Sequence, residues 1–175
     1  MGLVIVYLVA GLDGWDLFAD PAGWLLVLLG LAGLKHQLPG HGAVTGAALV
    51  SLVVATLTWV PDWAVGQAVR EDESLGWLVS LPALAFGYLL ADSLGARLPA
   101  PWTSRFRLLK WGFVLAAALP VLIYGAGWDW LVPPTGLLVF VIDVLLVWWL
   151  WSAARVPAVA QPDPPGPSDP SDPLT

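Results

Sequence analysis

The sequence predicts an all-α fold, a polytopic bundle of about six membrane-spanning segments with both termini on the cytoplasmic side. Three observations carry that expectation. Hydrophobic residues make up 58% of the 175-residue chain and charged residues only 11%, with a mean hydropathy of +0.79, whereas soluble domains carry roughly 25% charge. Four stretches (42–60, 75–95, 108–126 and 134–154) are apolar over the ~20 residues that a spanning helix needs. The seven Lys and Arg residues gather at one set of segment ends.

Taken in order, residues 3–12 and 22–34 are shorter apolar runs on either side of an acidic turn that carries Asp13, Asp16 and Asp20. At 1.5 Å per residue each covers roughly 15–20 Å, less than the ~30 Å hydrocarbon core. This first hairpin is therefore expected to be undersized, with the bilayer thinned around it or its turn recessed among other helices. The opening residues lack a basic region and a small-residue cleavage site, and read as a retained helix. The segment 61–74 is expected to be a loop with a short interfacial helix, Trp63, Ala64 and Ala68 toward lipid and residues 70–73 toward water.

Lys35, Arg97, Arg105, Arg107, Lys110 and Arg155 fall at one set of ends and only Arg70 at the other. The opposite loops hold Asp13, Asp16, Asp20, Asp62, Glu71, Asp72, Glu73 and Asp129. Positive residues stay inside, so both termini are expected in the cytoplasm of a cell in whose membrane the chain is multi-pass. Tryptophans divide the same way. Trp15, Trp24, Trp59, Trp63, Trp77, Trp128 and Trp130 fall at the outer ends, and Trp102, Trp111, Trp148, Trp149 and Trp151 toward the inner ends, as two interfacial belts would. The bundle is expected over 1–155. Beyond it, residues 156–175 include seven prolines among Asp, Ser and Gly, a composition that buries no core and is expected to be disordered.

One internal correspondence stands out. Gly14, Trp15, Asp16, Pro21, Gly23 and Leu25 recur as Gly127, Trp128, Asp129, Pro134, Gly136 and Leu138, without a gap. Each copy closes an outer turn and opens a helix, where proline is tolerated in the first turn. The arrangement predicts parallel hairpin repeats rather than inverted ones. The run from Asp16 through Pro21 and Gly23-Trp24 to Gly30-Leu31 resembles a D-x-x-P-D-x-x-G-aromatic segment of small multi-pass bacterial membrane proteins of unknown function. Here Ala19 stands where that pattern has proline, with the proline at position 21. The resemblance spans about twenty residues and implies no activity.

Asp143 is the most informative residue, near the centre of the last segment. Aspartate at a helix centre costs about 2.5–3.5 kcal/mol on insertion scales, so it must face protein or water. Ser51 and the region of Ala117 lie at similar depth, and Pro120 frees the Ala116 carbonyl. Asp143 is read as a structural lock on that carbonyl or, as the competing reading, a proton-relay or cation site. Tyr88 and Asp92 sit one turn apart on the fourth segment and share a face, with structural pairing to Arg97 or the arginines beyond it expected. Asp13, Asp16 and Asp20 offer oxygen ligands to a hard cation. A solvated loop, with Asp20 capping the helix that begins at Pro21, is the favoured reading of them. His36 and His41 lack a third ligand and read as loop residues.

Small residues give a packing signal: Gly42 and Gly46 in the third segment, Ala83, Gly87, Ala91 and Gly95 in the fourth, and residues 116–118 in the fifth. Such stripes fit either close internal packing or a docking face. Cysteine is absent, which excludes disulfides, thiolate sites and lipoprotein acylation. No G-x-S-x-G, H-E-x-x-H or phosphate-cradling loop occurs, and basic residues form no nucleic-acid footprint. No cofactor and no metal are expected. The favoured function is a non-enzymatic partner-binding or scaffolding subunit, in contact with the lipid bilayer and with another membrane protein or a second copy. A small cation- or proton-coupled transporter or channel is the alternative.

Overall fold

Helices in the computed structural model of the chain fall on the apolar runs. The structure describes residues 2–7, 11–12, 15–16, 20–59 and 63–155; Asp13 and the proline-rich tail at 156–175 lie outside them. Seven α-helices are described: α1 (Gly2–Tyr7), α2 (Asp20–Gly33), α3 (His41–Trp59), α4 (Ala64–Glu71), α5 (Glu73–Gly95), α6 (Trp102–Ala126) and α7 (Val132–Ala153). A 3-10 turn, Asp129–Leu131, leads into α7. A two-residue antiparallel ladder joins β1 (Gly11–Leu12) to β2 (Trp15–Asp16), pairing Gly11 with Asp16 and Leu12 with Trp15. Four helical spans, His41–Trp59, Glu73–Gly95, Trp102–Ala126 and Asp129–Ala153, are long and apolar enough to cross a membrane. Asp20–Gly33 is apolar but shorter, as the run lengths predict.

Local chemistry accounts for the boundaries. The Asp72 carboxylate accepts from the Ser74 and Leu75 amides at 2.8 and 3.3 Å, so it caps α5 and ends the preceding short helix. That helix, α4, is the short helix expected within 61–74, with Trp63 and Val65 exposed. α6 ends at Gly127, whose φ of 69° lies in the left-handed region. Two boundaries differ from expectation. α2 begins at Asp20 itself rather than at Pro21. α6 begins at Trp102 rather than near 108, because Arg105, Arg107 and Lys110 are good helix formers whose charge hides the helix from a hydropathy reading.

Helices pack mainly on their sequence neighbours: α1 on α2, α2 on α3, α5 on α6 and α6 on α7. α3 lies against α5 and joins the two halves. The core is aromatic where α2, α5, α6 and α7 meet. Trp24 meets Phe86 edge-on with centroids 5.1 Å apart, and Phe106 meets Trp149 at 6.4 Å. Phe86, Phe106, Phe113 and Leu109 are essentially inaccessible. Trp24, expected as an outer anchor, is thus a core residue, only 3% exposed. Trp59, Trp63, Trp111, Trp128, Trp130, Trp148 and Trp151 are exposed, as anchors would be.

The small-residue stripe on α5 is spent inside the bundle. A Cβ on Gly87 would collide with the Phe113 ring, with Cε1 at 2.5 Å, and Ala91 is fully buried. α1 and α2 likewise cross at a glycine pair, where a Cβ on Gly2 would lie 2.7 Å from the Gly23 carbonyl oxygen. Gly136, which corresponds to Gly23 in the second copy of the internal match, faces nothing within 4 Å. Gly42 and Gly46 on α3 also face open space.

Candidate functional site

Two concave regions gather the polar residues singled out by sequence. The larger is a groove of about 1010 Å³ with α1 and α2 on one side, α7 on the other and α5 at its floor. It exists because α7 is held by α6 and meets α1 only marginally. Leu3, Val27, Leu31 and Phe86 face Val144, Val147 and Trp148 across it, and Asp143 is the single ionisable residue among the described residues of its lining. Its neighbour Ile142 is buried, with Cγ2 2.9 Å from where a Gly112 Cβ would stand on α6. One residue of helix turns the chain by about 100°, which carries Asp143 round from that seam to the groove, half-buried.

Close to Pro120, an indole from α5 reaches the α6 backbone. The Trp77 indole on α5 donates to the Ala117 carbonyl at 3.2 Å, across the α5–α6 interface. That bond ties α5 to α6 within one turn of Pro120. Ser51 is buried on α3 and donates to the Ala47 carbonyl of its own helix at 2.9 Å. Since α3 packs on α2, α4 and α5 while α7 packs on α6, Ser51 and Asp143 belong to different interfaces.

The smaller region, about 470 Å³, opens between the last turns of α5 and the first turns of α6. Tyr88 and Asp92 do share a face, and both meet Lys110. Its Nζ donates to Asp92 Oδ1 at 2.7 Å and lies 5.0 Å from the centre of the Tyr88 ring. Asp92 therefore pairs with Lys110, not with Arg97. Counting evenly out from the Arg97–Pro101 turn sets Asp92 level with Phe106, one helical turn short of Lys110, and the long lysine side chain closes that distance. Thr103 and Arg107 complete the wall on α6, and neither was singled out by sequence.

The acidic turn is described only in part. Asp20 is half-buried at the start of α2, Asp16 closes the β ladder through its backbone, and Asp13 lies outside the described residues. Among the described residues no three His, Cys, Asp or Glu side chains group as a metal site would. His41 instead ties two elements, its Nε2 donating to the Leu31 carbonyl at the end of α2 at 2.9 Å; His36 is exposed.

The chain matches no family model, no curated protein and no solved structure. The geometry of the two concavities is thus what bears on function. The groove offers shape and apolar surface with one carboxyl group, and the cleft offers opposite charges side by side. Neither places a nucleophile beside a base among the described residues.

Proposed function

We propose that the chain is a non-enzymatic integral membrane protein whose groove between α2 and α7 receives a membrane-spanning helix of a partner subunit. The observation that carries this reading is the groove itself, about 1010 Å³ and, among the described residues, apolar but for Asp143. That volume is at the upper limit of ordinary small-molecule sites, at roughly 300–1,000 Å³. In lipid, helices associate through close packing and through polar groups that act as glue. Gly30 on one wall, where a Cβ would meet nothing within 4 Å, leaves room for close approach. Asp143 on the other wall supplies the polar contact, and gives a reason for keeping a costly carboxyl group at mid-helix.

The membrane placement is supported by four long apolar helices and by the gathering of basic residues at one end. That distribution favours a multi-pass cell-membrane protein with both termini cytoplasmic. The match between 14–25 and 127–138 is kept as a proposed parallel duplication.

Because the chain has no cysteine, single-cysteine variants test the reading directly. Gly30→Cys and Val147→Cys should cross-link in native membranes to one species of defined mass, and Val53→Cys on exposed α3 surface should not. Gly30→Trp, combined with Val147→Cys, should abolish the adduct while the protein still accumulates. Groove positions that yield no adduct would overturn the proposal. Asp143 lining a cavity also favours the transporter reading, which requires proton or cation flux in proteoliposomes that Asp143→Asn abolishes.

A further inference from the structure

The cleft between α5 and α6 joins two helix ends of opposite polarity. The C-terminal turn of α5 contributes Asp92, Gly95 and Ala96, and the N-terminal turns of α6 contribute Thr103, Arg107 and Lys110. Thr103, Arg107 and Lys110 are spaced four and three residues apart, so they stand in one column on α6. A helix C-terminus favours cations and an N-terminus favours anions. Side chains reinforce each end. Asp92 uses Oδ1 to hold Lys110, and among the described residues no hydrogen bond engages its Oδ2. Thr103 Oγ1 spends its proton on the Leu98 carbonyl at 2.6 Å, so what it presents to the cleft is an acceptor. On the same wall Arg107 is exposed and Lys110 keeps further N–H donors.

The cleft is therefore bipolar: two acceptors beside two cations, in about 470 Å³. Its surroundings place it at headgroup depth. Arg105 lies over the Trp102 ring at 4.7 Å and Arg155 over Trp151 at 3.9 Å, at the same end of the bundle, and such aromatic-basic girdles settle at the membrane interface.

We propose that this cleft binds the headgroup of a zwitterionic aminophospholipid. Arg107 and Lys110 take the phosphate, as basic sites between membrane helices do, and Asp92 Oδ2 with Thr103 Oγ1 takes the ammonium. The acceptors select a protonated primary amine over a trimethylated one, which has no N–H to donate. The inference rests on the membrane placement proposed above and is independent of the groove.

Native mass spectrometry of the full chain in mixed micelles tests it, with equimolar phosphatidylethanolamine, phosphatidylcholine and phosphatidylglycerol. Phosphatidylethanolamine should be retained about tenfold over each of the others. Arg107→Ala should reduce that retention about tenfold, and Asp92→Asn should erase the preference over phosphatidylcholine. Millimolar inorganic phosphate should leave the lipid bound. Equal retention of the three lipids, a preference for phosphatidylglycerol, or displacement by phosphate would each overturn the inference. Carbonate extraction separates the two proposals: a chain released from membranes fails the membrane placement, whereas an integral chain without lipid preference fails this inference alone.

Discussion

Gly87 and Phe113 interlock more tightly than any other described glycine and its neighbour, and the cost of disturbing them follows from close packing. A methyl group at Gly87 must push against a buried aromatic ring. Gly87→Ala is expected to lower stability by about 1–3 kcal/mol, measured by unfolding in detergent, and Phe113→Leu in the same chain should restore part of the loss. Thr135 presents the opposite case. Its hydroxyl is buried without a hydrogen-bond partner, and an isosteric apolar side chain relieves that burden. Thr135→Val should be neutral or stabilising by up to about 1 kcal/mol; a clear destabilisation would show that the hydroxyl is used. Sequence carried the identity of several key side chains but not their partners. Asp92, Tyr88 and Asp143 were visible because charge or hydroxyl is rare in apolar runs. Lys110, Arg107 and Thr103 were not, since a basic end reads as topology before it reads as a cleft.

Elements were legible in proportion to their length. The four long helices lie within a few residues of the apolar runs, since backbone groups in an apolar run must be satisfied within the helix itself. Boundaries shifted where charge or capping overrode hydropathy, at Trp102 and at Asp72. Trp24 was misplaced for a related reason: position along a helix was read, but not which side faces Phe86. Asp72→Ala removes the acceptor for two first-turn amides of α5 and should cost about 1 kcal/mol, seen as fraying of α4 and the start of α5 in hydrogen exchange. The α5–α6 contact near Pro120 should depend on one indole donor. Trp77→Phe leaves the ring but removes the donor to Ala117, and a loss of about 1 kcal/mol is expected.

At the scale of the whole molecule, orientation is the property most open to test. Ser104→Cys, near the start of α6, should be labelled by an impermeant thiol reagent only after cells are opened. Trp130→Cys, beyond the far end of α6, should be labelled in intact cells. The reverse pattern would invert the topology. Hydropathy revealed the four long helices, because each depends on its own segment alone. It did not reveal that α7 stands apart from α1, because a gap between helices belongs to no single segment. That gap lies beside α2, whose 14 residues reach only about 21 Å. In a bilayer the lipids along this edge are squeezed to fit, at a fraction of a kcal/mol per Å, while those beside α5 and α6 are not. A membrane deformed on one flank draws in whatever neighbour shares the deformation. With the chain in a membrane as proposed, the short second helix would give the molecule a sticky side set by elastic strain in the lipid, before any side chain of a partner made contact.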